Sequence, residues 1–151
     1  MNWTAKVIRE EFARLDAMTG LKGRELPIYF FYRRCAPEAG FILEGDQPVA
    51  FVFNKCIYDS RRCDDQLLMA VVRHEYAHYM DLMRNGPTED VHGEAWAACC
   101  QEVGGLTVEE QVLFFLLDNH PEPTEEDLRK PARLVKLVRR HPHFSPQAVN
   151  A

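Results

Sequence analysis

The HExxH pattern formed by His74, Glu75 and His78 constrains the fold of this 151-residue chain more than any other stretch. An α-helix turns by about 100° per residue, so two histidines four positions apart lie on one face, roughly one turn apart. Both imidazoles can then reach a single metal ion. The run at residues 67–72 is apolar and lacks glycine and proline, and apolar residues continue to Met83. This pattern predicts a helix that packs inside the domain.

Glu75 lies beside the first histidine, and its carboxylate gives the pattern a chemical role. Two histidines and a carboxylate on an apolar helix are costly to bury unless they are paired or bound to metal. A carboxylate next to a bound metal can take a proton from a water molecule without filling a coordination position. Zinc-dependent hydrolases use this HExxH arrangement. We therefore predict a Zn²⁺ site with His74 and His78 as ligands and Glu75 as the catalytic base.

Length, charge and cysteine content limit the class of protein. A chain of 151 residues forms one domain with a core that needs no disulfides. The net charge of −5 argues against nonspecific binding of nucleic acid by the whole surface. Residues 1–14 do not form a signal peptide, and no apolar run reaches the roughly 18 residues of a membrane span. The five cysteines form no CxxC pair, so we expect reduced thiols in a cytoplasmic protein without membrane contact.

The segments before the motif predict an α+β fold. Apolar residues at helical spacing predict a first helix over residues 2–18. Three β-rich runs follow at residues 28–32, 41–43 and 49–53, and turn residues separate them. Short connections join antiparallel neighbours, so these runs predict a small three-stranded antiparallel meander. The first helix is expected to cover one side of this sheet.

Capping residues predict the limits of the next helices. Asp59 or Ser60 is expected to cap the HExxH helix, and the Asn-Gly-Pro sequence at residues 85–87 is expected to end it. A second helix is predicted from His92 to about Gly104.

The C-terminal part of the chain is predicted to be helical. Thr107 and Glu110 form a capping box that opens a short apolar helix. A later helix is predicted over about residues 131–140. It carries Arg133, Arg139 and Arg140, and Arg129 and Lys130 precede it, so that these five residues form a basic face. We interpret it as a solvated amphipathic helix, with contact to DNA as the alternative. The predicted organisation is a domain over residues 1–120 and a helical extension over residues 121–151.

A catalytic zinc takes three protein ligands, so the HExxH pair needs one more. The metzincin pattern requires glycine and histidine where this chain has Asp81 and Arg84. A gluzincin-type site would take Glu94 or Glu102 from the following helix. We prefer His92, because the Asn-Gly-Pro turn allows the next helix to return its first residue to the metal.

The sequence His92-Gly93-Glu94-Ala95-Trp96 resembles the HGxxF/W motif that follows HExxH in the SprT-like (Spartan-type) zinc metallopeptidases. A strand that ends in Asn54 before the HExxH helix is similar too. The resemblance spans roughly residues 1–106, although its specific motifs occupy only residues 74–96. The Cys-rich zinc ribbon that many of these proteins carry has no counterpart in this sequence.

This resemblance implies a zincin-like SprT-like metallopeptidase domain over residues 1–120, with His92 as the third ligand. Trp96 would then pack against the ligand helix and fix the direction of the imidazole. The last strand, residues 49–54, would be the sheet edge on which an extended peptide adds. The family is associated with DNA-bound substrates, whereas this chain is acidic, with a net charge of −5.

The predicted function is hydrolysis of peptide bonds in protein substrates. Four side chains are possible donors to the oxyanion, each with a structural role as the stronger interpretation: Arg73, Tyr76, Tyr79 and His120. One alternative is an ImmA-like regulatory peptidase that cleaves a single repressor. Another is a non-catalytic binding module that zinc stabilises, although a structural zinc site has no need of Glu75.

Overall fold

The computed structural model describes residues 1–33, 38–59 and 64–111. The elements in these ranges are α1 (Ala5–Thr19), a 3₁₀ turn (Gly23–Glu25), β1 (Ile28–Phe31), β2 (Ala39–Glu44), β3 (Gln47–Asn54), α2 (Lys55–Tyr58), α3 (Asp65–Asn85) and α4 (Glu94–Val103). Helical backbone resumes at residues 108–111. The fold is mixed α+β with a small three-stranded sheet, which confirms that part of the prediction.

Residues 112–120 of the predicted domain and the whole extension 121–151 lie outside the described residues. The basic helix and its possible DNA contact therefore stay predictions, and His120 also falls in this part. None of the helices in the described ranges is both long and apolar enough to cross a bilayer.

The strand order β1-β3-β2 shows that the predicted antiparallel meander is wrong. β1 pairs with β3 in parallel, from Ile28 opposite Phe51 to Phe31 opposite Asn54. β2 pairs with β3 antiparallel on the other side. β3 takes the central position because it contributes the most apolar burial to the sheet, with Ala50, Phe51 and Phe53 all buried.

The edge strands of the sheet, among the described residues, also differ from the prediction. Residues 49–54 belong to the central strand and cannot accept another strand, so their predicted edge role is wrong. β2 is an edge strand instead, and its second half, residues 42–44, is exposed.

α1 packs against both the sheet and α3. Thr4 caps its first turn by accepting the Val7 amide at 3.3 Å, and Gly20 ends it in the left-handed conformation. The Phe12 ring lies 4.6 Å from the Phe51 ring and 5.3 Å from the Tyr76 ring, measured between centroids. Phe12 therefore joins α1, the central strand and α3 in one core.

α3 begins at Asp65 and not near residue 60 as predicted. Asp64 is its cap, with its Oδ1 accepting the Gln66 amide at 2.7 Å. Asp59 instead ends α2, a four-residue helix that the sequence analysis did not predict. Ser60 lies outside the described residues. The predicted end at Asn85 and Gly86 is confirmed, with Gly86 at a φ of 79°.

A hydrogen-bonded carboxylate links α1 to the back of α3. Asp16 accepts the amides of Gly23 at 2.7 Å and Arg24 at 3.1 Å, and the Tyr76 hydroxyl donates to it at 2.6 Å. Two positions along a helix correspond to about 200°, so a residue two positions from both histidines points away from them. Tyr76 thus fixes the rotation of α3 with His74 and His78 on the opposite face.

A second polar link joins the exposed side of α1 to α3. Glu11 accepts from Arg14 at 2.6 Å and from Arg73 at 2.9 Å. Burial opposes ionisation of Glu11, but the hydrogen bonds from the two arginines outweigh it, and its pKa lies below the ordinary value of 4.5.

We expect Glu11→Gln to lower the free energy of unfolding at pH 7 by about 1 kcal/mol, because the amide keeps the shape but loses the charge. A carboxyl with a lowered folded-state pKa stabilises the fold above its unfolded pKa, and that contribution disappears as the pH falls through the folded pKa. The difference from the wild type should therefore shrink between pH 7 and pH 3.5 in urea unfolding. Glu10→Gln, on the exposed neighbour, is the control. An equal loss at both pH values would contradict this assignment.

Candidate metal centre

Three histidine side chains converge on one point. The Nε2 atoms of His78 and His74 are 3.3 Å apart, and those of His92 and His74 are 3.2 Å apart. All three ligand nitrogens lie within 4.8 Å of one another, and in the described part of the chain no other group of this kind occurs. His74, His78 and His92 are therefore positioned to bind a metal ion.

The turn between α3 and α4 brings His92 to the HExxH pair. Gly86 ends α3 at a positive φ, and Gly93 is the N-cap of α4. The Gly93 amide donates to the Asp90 carbonyl at 3.2 Å, and a Cβ on Gly93 would meet the Asp90 carboxylate at 2.9 Å. This tight turn leaves His92 just before the helix, facing the pair.

The two glutamates considered as third ligands lie elsewhere. Glu102 accepts two hydrogen bonds from Arg84, at 2.7 and 3.2 Å. Glu94 is exposed on the first turn of α4 and does not belong to the metal-binding group. The geometry thus brings His92 to His74 and His78 and leaves both carboxylates out.

A backbone carbonyl sets the tautomer of His74. Its Nδ1 lies 2.7 Å from the carbonyl oxygen of Leu106. Because a carbonyl only accepts, Nδ1 carries the hydrogen, and the neutral ring presents its Nε2 lone pair to the metal position. A metal-binding histidine with such an outer partner has a fixed ring orientation.

The two helical histidines are held in the neutral form that metal binding requires. Burial lowers the pKa of His74 to about 4, against the opposing effect of its bond to Leu106. Burial lowers the pKa of His78 to about 3, and the nearby rings of His74 and His92 add to this. Both rings are therefore unprotonated at neutral pH before any metal binds.

Trp96 packs against all three imidazoles, as the sequence analysis predicted for the ligand helix. Its ring centroid lies 4.7 Å from that of His74, 5.2 Å from that of His78 and 4.7 Å from that of His92. The indole is only 2% exposed and stacks on His78 at 25°. This one residue restricts the rotation of every candidate ligand.

Glu75 lies in the same cavity as the histidines. The cavity has a volume of about 410 Å³, and its walls are formed by β2, by α3 from His74 to Leu82 and by the turn at residues 86–92. Glu75 is 7% exposed, and no hydrogen-bond donor among the described residues reaches its carboxylate. Burial, helped by the charge of Glu38, raises the pKa of Glu75 to about 8.

The other polar side chains considered for catalysis have structural partners. Tyr76 binds Asp16, the Tyr79 hydroxyl accepts the Lys22 amide at 3.3 Å, and Arg73 binds Glu11. These three groups stabilise the packing of α3. This agrees with a structural role for them, which the sequence analysis preferred over a role as oxyanion donors.

Comparisons of the chain with protein-family models, with curated proteins and with solved structures each found no match.

Removing one of three ligands should reduce metal affinity severely, whereas removing a carboxylate outside the ligand set should not. We expect His92→Ala to be largely metal-free after mild chelation of a zinc-loaded sample. Glu94→Ala and Glu102→Ala, both on α4, should retain zinc under identical treatment. The measurement is zinc per chain by atomic emission. Retention of zinc by His92→Ala together with its loss from Glu102→Ala would replace His92 by Glu102 as the third ligand.

Proposed function

We propose that this protein is a zinc-dependent peptidase of the SprT-like type, and the observation that carries the proposal is the convergence of three histidine Nε2 atoms beside the buried Glu75. A peptidase site of this class needs three protein ligands, a free coordination position and a base next to it. The cavity supplies space beside the ligands for a substrate, because it extends along β2.

Two of the three separations between the donor nitrogens match zinc. Two nitrogens bound to a tetrahedral ion at 2.0–2.1 Å are about 3.3 Å apart. The separations from His74 Nε2 are 3.3 Å to His78 Nε2 and 3.2 Å to His92 Nε2. Three neutral imidazoles suit zinc, whereas magnesium and calcium prefer oxygen ligands.

Zinc held by the three histidines would leave one position for water and lower the pKa of that water to about 7. Glu75 would accept the proton of the attacking water and deliver it to the departing amine. It must be ionised for the first step, and a divalent cation beside it favours ionisation over the neutral form that burial alone would produce.

The edge position of β2 among the described strands supports an extended peptide as the substrate. Four residues of this strand line the cavity that holds the histidines: Ala39, Gly40, Phe41 and Leu43. A peptide that adds to this edge would form main-chain hydrogen bonds and would pass the metal position. Such pairing reads few side chains, which suits broad substrate tolerance.

If the peptide adds to β2 as a strand, its two alternate sets of backbone amides should differ in their importance for cleavage. Alternate amides of an extended peptide point to the same side, so only one set of amides would face β2. We expect N-methylation of one alternate set around the cleaved bond to reduce kcat/KM at least about tenfold. Methylation of the other set should have little effect. Equal losses for both peptides would contradict pairing with β2.

Glu75→Gln should retain zinc and the fold but lose activity on unfolded casein by a factor of about 10² to 10⁴, because the amide keeps the shape and removes the base. Asp81→Asn is the matched control, since Asp81 is another buried carboxylate that lines the cavity. That variant should hydrolyse casein at a rate close to the wild type. Near-normal turnover by Glu75→Gln would refute the assigned role.

The same assay separates the alternatives. Cleavage of a repressor but not of casein would favour the ImmA-like role, and zinc at full occupancy without turnover of any extended peptide would favour a binding module. Running the assay with and without single-stranded DNA tests the predicted nucleic-acid partner.

A further inference from the structure

The segment Gly105-Leu106 lies directly against the turn of α3 that carries His74. The Leu106 amide donates to the Ala70 carbonyl at 2.8 Å, and the Leu106 carbonyl accepts from His74 Nδ1 at 2.7 Å. Ala70 and His74 are four positions apart, so these two bonds engage both ends of one helical turn. The side chain of Leu106 packs in a cluster with Leu67, Ala70 and Val71. We call this two-point contact the Leu106 clasp.

Gly105 permits the clasp because it leaves no room for a side chain. A Cβ at this position would lie 2.9 Å from the backbone nitrogen of His74 and 3.1 Å from the carbonyl carbon of Arg73. It would also lie 2.8 Å from the sulfur of Cys100. The sulfur can rotate away, but the helix backbone cannot. Any larger residue must therefore push the segment off α3 and lengthen the bond to His74.

Both flanks of the clasp are held in place. The Gly105 amide donates to the Cys100 carbonyl at 2.9 Å and ties the segment to the end of α4. On the other side, Thr107 and Glu110 form the predicted capping box, with each amide donating to the other side chain at 3.1 Å. The carbonyl of Leu106 thus has a defined position relative to α3.

We propose that Gly105, acting through the Leu106 carbonyl, is a positioning residue for the metal centre: it selects the His74 tautomer whose Nε2 faces the metal and fixes the direction of that ring. The proposal rests on the zinc site proposed above. The donor-acceptor chemistry requires this tautomer, and the carbonyl can reach the ring only if residue 105 lacks a Cβ. Loss of an outer hydrogen bond of this kind typically costs 10- to 100-fold in metal affinity.

The test compares Gly105→Ala with Gly20→Ala. Gly20 ends α1 at a φ of 75° and has no atom within 4 Å of its Cβ position, so alanine there strains the backbone without touching the metal centre. Zinc affinity is measured by competition with a chromophoric chelator, and urea unfolding of the metal-free proteins records general destabilisation. We expect the zinc Kd to rise about 10- to 100-fold in Gly105→Ala and to stay within about twofold in Gly20→Ala.

A second measurement does not depend on the folding of a variant. Nitrogen NMR of the histidine rings in the metal-free wild type should show the His74 hydrogen on Nδ1, with slow exchange against solvent. A hydrogen on Nε2 of His74, or an unchanged zinc Kd in Gly105→Ala, would overturn the positioning role. Neither result would contradict the proposed zinc site. Failure of the wild type to bind zinc would overturn the proposed function together with this inference.

Discussion

The structure depends on the rotation of α3 about its axis, because one face of this helix packs in the core and the opposite face carries polar side chains. Nine of its 21 residues are buried in the two hydrophobic core clusters, and yet it also carries two histidines and a glutamate that are costly to bury without partners. The bond from Tyr76 to Asp16 fixes one face against α1, and the ring contact between Tyr76 and Phe12 supports it. The opposite face is thereby directed to the cavity beside β2. A small rotation of α3 would bury the polar face in the core or separate the histidines from His92.

The candidate metal centre is assembled from three chain segments that meet at this face. α3 contributes two imidazoles, the turn before α4 contributes the third, and the segment after α4 contributes a carbonyl to His74. Trp96 covers the three rings from one side. Because each ring is held by a contact from another element, the ligands are arranged before the metal binds. Such an arrangement reduces the conformational entropy lost on binding.

Local signals in the sequence predicted a large part of this arrangement. The four-residue spacing of His74 and His78, the glycine after Asn85 and the Thr107–Glu110 capping box are all short-range features, and each has the expected structure. His92 was predicted from the turn that precedes it and from a motif resemblance, and the geometry brings it to the pair.

The features that the sequence did not predict are those that depend on long-range competition. Each run of β-rich residues is recognisable alone, but which run takes the centre of the sheet depends on total burial, and Phe51 and Phe53 give that position to β3. Asp59 is a good cap by residue type, yet Asn54, five positions earlier, caps the start of a short helix, so Asp59 ends that helix. The sequence analysis did not predict the role of the Leu106 carbonyl, because every residue has a backbone carbonyl and the residue type does not single one out. Only the paired glycines before it mark the close approach.

Zinc K-edge X-ray absorption of the zinc-loaded protein counts and identifies the neighbours of the metal. A centre built from three histidines should give one zinc per chain with four nitrogen or oxygen neighbours at about 2.0–2.1 Å, three of them imidazoles. A sulfur neighbour at about 2.3 Å would instead place a cysteine in the coordination sphere. That result, or fewer than three imidazoles, would contradict a centre built from His74, His78 and His92.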